Sequence, residues 1–225
     1  AIKPANAQHK WNVYAPAKFK DEFKDANVTV VNELDLNKSL RSRCAEDLHE
    51  WVSETLDGKL AIASKISQNI FAQGFQIYIT RDLDTAKTYV RERYANSPES
   101  RFGLLASSKD RLLRNFGIKN DFHDVKQVKK AKWYNGPVGD KFSSNNLEDA
   151  ITEFDCQGLE VDCAIVCWGN DYLWNGSEWE MRKMRSQYKQ EDPMNLRKNS
   201  YRVLLTRSRD EMVIYIPQDD KFDKT

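Results

Sequence analysis

The chain has 225 residues, 40% of them hydrophobic and 31% charged, which fits one large domain, or one domain carrying an insertion, under a hydrophilic surface. A net charge of +1 excludes a uniformly basic nucleic-acid binder. No apolar run approaches the roughly 20 residues needed to cross a bilayer, and the opening Ala1-Ile2-Lys3-Pro4-Ala5-Asn6 lacks the apolar centre of a secretory signal, so the expectation is a cytoplasmic protein without a membrane partner.

In chain order, Val28-Thr29-Val30-Val31 is β-branched and predicts a strand. Ala45 to Leu56 predicts an amphipathic helix, because Leu48, Trp51, Val52, Thr55 and Leu56 fall at i, i+3, i+4, i+7 and i+8, with Gly58 as its stop. Leu60 to Phe71 predicts a second helix. Phe75 to Ile79 reads as a strand, and Thr80-Arg81-Asp82 supplies a cap for a helix over Leu83 to Tyr94. Arg101 to Ala106 reads as another strand, with Ser107-Ser108 capping a short helix to Asn115 that ends at Gly117. From Asp121 to Asn146 the periodicity fades. It returns at Ala150 to Phe154 and at Cys163 to Trp168, a continuous apolar run of the kind found in buried parallel strands. Asn170 to Lys198 is a polar and aromatic insertion with Trp174, Trp179 and Tyr188. Tyr201, Leu204, Leu205 and Ser208 predict one face of a helix, and Met212 to Ile216 a final strand stopped by Pro217. Strands alternating with helices predict a parallel α/β sheet, in which ligands gather at the carboxyl ends of strands; Thr80, Ser107 and Ser108 stand there, where simple helix capping is the alternative.

Four cysteines, Cys44, Cys156, Cys163 and Cys167, and three scattered histidines, His9, His49 and His123, favour buried thiols over a zinc site. Arg182 to Arg209 holds nine Lys or Arg against two acids, an excess of +7. That run is either a solvated face or a phosphate-facing patch. The tryptophans of the insertion are either base-stacking groups or anchors for its loops.

Two runs carry chemistry. Thr152 to Glu160 (Thr-Glu-Phe-Asp-Cys-Gln-Gly-Leu-Glu) lies between two strands; its glycine permits close backbone approach to a ligand, and Glu160 can accept from sugar hydroxyls. Tyr201 to Arg209 is an apolar helix whose end carries Arg207 and Arg209, and guanidinium forks spread charge over phosphoryl groups. The first run resembles motif V of superfamily 1 helicases, Leu204-Leu205-Thr206-Arg207-Ser208-Arg209 resembles motif VI, and Leu36 to Ser42 resembles motif IV. With Ile79 to Asp82, Leu104 to Ser108, Cys167-Trp168-Gly169 and Tyr201 to Pro217, the chain is more closely similar to the bacterial Schlafen-like DNA/RNA helicase domain family, over about Val28 to Pro217.

The resemblance implies a RecA-like parallel sheet flanked by helices, the second motor lobe, over residues 28–217 with an insertion at about 170–198. Residues 1–27 would be an extension or a remnant of a preceding lobe, and 218–225 a tail. It implies that Arg207 is an arginine finger, a device worth about 10³ to 10⁵ in rate, and that Arg41 is a second phosphate-facing arginine. Gln157, Gly158 and Glu160 would line the nucleotide, with Glu160 near the ribose. Thr152 would touch the DNA or RNA backbone, with Thr80 and Ser107 as weaker members of the same track. Two positions depart from the usual pattern: Phe154 stands where many superfamily 1 sequences have histidine, and Leu40 where tyrosine is common. No GxxxxGK[ST] loop is present, since Gly58-Lys59 is followed by Leu60, and no DExx pair follows a clear strand. The expectation is therefore that ATP and Mg²⁺ require a P-loop lobe encoded before Ala1, and that this chain alone hydrolyses little ATP. The competing readings are a nucleic-acid-binding module without catalysis and a regulatory domain with relic motifs.

Overall fold

The structure, a computed structural model, describes residues 12–23, 26–34, 45–181 and 192–222. Arg41, Cys44 and the 182–191 part of the basic run lie outside the described residues. The chain divides into two compact units, Ala1–Leu40 and Arg41–Thr225.

In the first unit, β1 (Asn12–Ala15) and β2 (Asn27–Val30) pair in parallel, with Asn12 opposite Asn27 and Ala15 opposite Val30. The predicted strand begins and ends one residue early: the Val31 N–H still donates to the Ala15 carbonyl at 2.9 Å, and a 3₁₀ turn over Asn32–Leu34 follows.

The second unit opens with a helical hairpin, α1 (Ala45–Leu56) and α2 (Leu60–Ala72). Its first helix buries Leu48, Trp51, Val52 and Leu56, the face its periodicity predicts. Gly58 turns the chain at φ +76°, and a Cβ there would stand 3.0 Å from the Trp174 ring, so glycine is required on both counts. Then come β3 (Gln76–Thr80), α3 (Leu83–Arg93), β4 (Phe102–Ala106), α4 (Phe122–Gln127), α5 (Lys130–Asn135), β5 (Ala150–Thr152), β6 (Val161–Cys167), β7 (Tyr172–Trp174), β8 (Trp179–Met181), α6 (Pro193–Leu205) and β9 (Ser208–Tyr215).

Five strands form one sheet in the order β3-β9-β6-β4-β5, every pair parallel. The central β6 alternates: Ala164 and Val166 join the core under α1, α2 and α6, while Cys163, Ile165 and Cys167 join the core under α3. Both faces are thus covered, the reason its apolar run is continuous. Gly103 on β4 admits α5 to the sheet, since a Cβ there would lie 2.5 Å from the Trp133 ring. The β7–β8 hairpin is held by aromatic packing. The Trp179 ring stacks on Tyr172 at 4.8 Å and on Trp168 at 5.3 Å, and its Nε1 donates to the Thr55 carbonyl at 2.8 Å. Trp174 packs edge-on against Trp179. These tryptophans anchor the hairpin to α1.

Three local readings differ from the structure. Ser107 and Ser108 do not cap a helix to Asn115: Asp110 Oδ1 accepts from the Leu112 and Leu113 N–H groups at 2.8 and 2.6 Å, and only a 3₁₀ turn follows, Leu113–Phe116. The serine hydroxyls are drawn instead to buried carboxylates. The final helix starts at Pro193, inside the run read as insertion, with Asp192 Oδ1 accepting from the Asn195 N–H. It ends at Leu205, so Ser208 begins β9 rather than continuing the helix face; its Oγ accepts from the Ala164 N–H at 3.0 Å.

Candidate functional site

Apart from Arg41, which lies outside the described residues, the functional residues named from the sequence lie at two opposite ends of the sheet. The seven residues of β6, at about 3.3 Å each, separate those ends by about 20 Å.

At the amino ends of β6 and β9, the Val161 N–H donates to the Arg207 carbonyl at 3.0 Å, which places Arg207 beside Glu160 in the chain leading into β6. The Arg207 side chain is only 8% exposed. Its Nε donates to the Val203 carbonyl at 3.0 Å, its Nη2 to the Thr206 hydroxyl at 3.0 Å, and its Nη1 reaches the Cys156 and Leu159 carbonyls at 3.4 Å each. One guanidinium thus joins the end of α6 to the loop that carries Gln157, Gly158 and Glu160. In that loop Gln157 and Gly158 are exposed and Glu160 half-buried. Gly158 has φ +81° with open space where a Cβ would stand, so its backbone is approachable by a ligand. Arg209 lies on β9 and donates to Asp162 at 2.7 Å.

At the carboxyl ends of β4, β5 and β6 stands a buried charged network that the sequence reading missed. Asp171, 2% exposed, accepts from the Ser107 hydroxyl at 2.6 Å and from the Tyr201 hydroxyl at 2.7 Å, and Arg197 Nε lies 3.1 Å from it. The Arg197 Nη1 donates to Ser107 Oγ at 3.0 Å and stands 3.6 Å from Glu153. Glu153 in turn accepts from the Ser108 N–H and hydroxyl at 2.9 and 2.8 Å. Asp110 adds a third carboxylate, accepting from the Asn170 N–H at 2.6 Å. Gly169 lies between Asp110 and Asp171, where a Cβ would come within 2.6 Å of both. Burial pushes the Asp171 carboxyl above the usual carboxylate range, against the opposing pull of Arg197. Burial and the neighbouring Asp171 push the Tyr201 hydroxyl far up, so it stays a donor.

The remaining track residues sit around this network. Thr152, 3% exposed, ends β5 and donates its hydroxyl to Asp155 at 3.1 Å. Ser107 is fully buried within the network. Thr80 ends β3, separated from β4 by β9 and β6 in the sheet order, and accepts from the Asp82 N–H at 3.1 Å. Ser107 and Thr152 are therefore neighbours through the β4–β5 pair, and Thr80 stands apart.

The three described cysteines, Cys156, Cys163 and Cys167, are buried free thiols. Burial lifts the Cys156 thiol to about 12, with Arg207 opposing, and lifts Cys163 and Cys167 well above the usual thiol value. Among the described residues no group of three His, Cys, Asp or Glu side chains forms a metal cage, and no helix is long and apolar enough to cross a membrane.

A five-stranded parallel sheet covered by helices on both faces, with polar side chains collected at its strand ends, is a RecA-like α/β domain. More narrowly, the chain belongs to the Schlafen group 3 DNA/RNA helicase domain family, whose family model matches residues 6–218. No curated protein matches the sequence. The chain is a helicase-like domain, and that class implies dealings with nucleic acid.

Proposed function

We propose that the second unit works as the C-terminal motor lobe of a superfamily 1 DNA or RNA helicase or translocase, completing an ATP site formed with a P-loop lobe of the same protein in the cytoplasm. The observation that carries this reading is the hold of Arg207 on the Cys156–Leu159 segment. It sets Gln157, Gly158 and Glu160 around one arginine at one end of the sheet, while Thr152 and Ser107 face the other end. In this reading Arg207 exchanges carbonyl acceptors for phosphate oxygens, which as charged acceptors bind it more strongly. Glu160 accepts from ribose hydroxyls, Gly158 lets the backbone approach, and Arg41 supplies a second cation. Bound Mg²⁺-ATP supplies the phosphoryl group, and the P-loop lobe holds the metal.

A second reading, a nucleic-acid-binding or regulatory domain without turnover, is favoured by one observation. Arg207 is buried and engages three backbone carbonyls and a hydroxyl, an arrangement that serves the fold without any nucleotide. The experiment is nucleic-acid-stimulated ATP hydrolysis by a protein comprising this chain and its P-loop lobe. Arg207→Ala should lower turnover by about 10³- to 10⁵-fold, with circular dichroism reporting that the variant is folded. Unchanged turnover overturns the motor reading; salt-sensitive nucleic-acid binding by a protein that never hydrolyses ATP selects the second.

A further inference from the structure

Among the described residues β3 and β5 are the two outer strands of the sheet, and their open sides are finished differently. All three residues of β5 are buried, whereas in β3 Tyr78 and Ile79 are exposed, Ile79 at 67%. The Thr80 carbonyl accepts from the Ile216 N–H at 3.0 Å. A strand in a parallel ladder directs the backbone groups of alternate residues to opposite sides. Gln76, Tyr78 and Thr80 therefore bond to β9, and the N–H and C=O groups of Ile77 and Ile79 point to the open side. An unpaired row of this kind is a template for another strand, and proteins usually blunt it with charge, proline or a bulge. Gln76-Ile77-Tyr78-Ile79-Thr80 has no charge and no proline, and its register with β9 is unbroken. Apolar side chains gather at the same edge. Of the ten large hydrophobics exposed among the described residues of the second unit, five lie in α2 and β3: Leu60, Ile62, Phe71, Tyr78 and Ile79. Ile66 and Ile70 of α2 share one core with Phe75 and Ile77. Scattered exposed apolar side chains are ordinary; a group of them beside unpaired backbone marks an interface.

We propose that this edge docks a second copy of the chain, the two β3 strands pairing antiparallel about a twofold axis at Tyr78. The occupant follows from the self-complementarity of the strand. A twofold contact sets one surface against itself, and an antiparallel pair exchanges both N–H···O bonds between residues whose backbone groups face each other. Ile77 of one copy opposite Ile79 of the other uses every open group of both residues. In that register Gln76 faces Thr80, Arg81 faces Phe75 and Asp82 faces Gly74, so no like charges meet across the pair. Tyr78, packed edge-on against Tyr89 at 5.0 Å, stands opposite its own counterpart. The twofold axis is perpendicular to the sheet, so the α2 helices of both copies lie on the same face. The inference is independent of the ATP and nucleic-acid readings.

The test is sedimentation of the full chain over a range of concentrations. The parent mass should rise toward that of two chains. Ile79→Pro removes an N–H that β9 does not use, at an edge position of the kind where proline is tolerated. Tyr78→Lys sets like charges directly opposite each other, which destabilises a strand pair. Each variant should lose the dimer and keep the circular dichroism of the parent. Tyr78→Glu alone should also be monomeric. An equimolar mixture of Tyr78→Lys and Tyr78→Glu should regain the dimer, because opposite charges then meet at the axis. A parent that stays monomeric overturns the proposal, as does a dimer that survives Ile79→Pro and Tyr78→Lys. Monomeric Tyr78→Lys and Tyr78→Glu that fail to pair when mixed also overturn it, since the contact then does not centre on Tyr78.

Discussion

The two ends of the sheet fix loops against parallel strands by different chemistry. At the amino end, Arg207 grips the loop through the carbonyl oxygens of Cys156 and Leu159, groups that any residue would provide. At the carboxyl end, Asp171, Arg197, Ser107, Tyr201 and Glu153 hold one another through side chains, so every identity matters. A backbone grip leaves the loop's own side chains available to a ligand, which suits Gln157 and Glu160. A side-chain network consumes the residues that build it, and Thr152 stands beside it, buried and bonded to Asp155. The difference predicts unequal sensitivity to substitution.

The largest effect is expected at the carboxyl end. Asp171→Ala leaves Arg197 buried without its nearest carboxylate and removes the acceptor of Ser107 and Tyr201; breaking a buried ion pair this way costs about 3–5 kcal/mol. Urea denaturation measures it. A loss under about 1 kcal/mol, the worth of an exposed pair, would mean that water reaches the network and that the two ends do not differ as described. Arg207→Met should cost less, because the acceptors it abandons are neutral carbonyls and a hydroxyl rather than a buried charge. Its signature should be local: faster amide hydrogen exchange in the 157–160 loop, with the β4–β5 pair unaffected. Equal acceleration at both ends would show that one cooperative unit spans the sheet and would dissolve the comparison.

How much of this was legible follows the same division. The strands and helices announced themselves by period: Leu48, Trp51, Val52 and Leu56 on one helix face, the unbroken apolar run of β6 in a sheet covered on both sides. Arg207 and the 157–160 loop could be singled out only as two separate short runs, and the structure brings them into contact. The charged network was not legible, because Asp, Glu and Arg are read as surface residues by default, and Arg197 was absorbed into a basic run. A signal was nonetheless present. Arg197, Tyr201, Leu204 and Leu205 fall at i, i+4, i+7 and i+8, which puts the arginine on the buried face of α6. Glu153 and Asp171 each follow an apolar strand at its carboxyl end, where polar groups converge. Ser107 and Ser108 misled for a related reason: a serine after a strand caps a helix unless a buried carboxylate competes for its hydroxyl, and that competitor lies 64 residues away along the chain for Ser107.

The smallest effect should come at the outer margin of the carboxyl edge, where Asp82 caps α3 in full contact with water. Its Oδ1 accepts from the Asp84 and Thr85 N–H groups at 2.9 and 3.2 Å, and the Thr85 N–H above all holds its carboxyl below the ordinary aspartate value. A folded-state value below the unfolded one means that the carboxylate's contribution is fully present above the unfolded value, about 3.9, and is lost as pH falls through the folded value. Asp82→Ala should therefore lower the unfolding midpoint at neutral pH, with the gap to the parent closing in acid. Asp82→Asn keeps a cap oxygen but no titration, so in acid its midpoint should fall less steeply than the parent's. A gap for Asp82→Ala that stays constant into acid would assign the cap to helix geometry rather than to charge. The carboxyl edge would then owe its electrostatic character to the buried network alone.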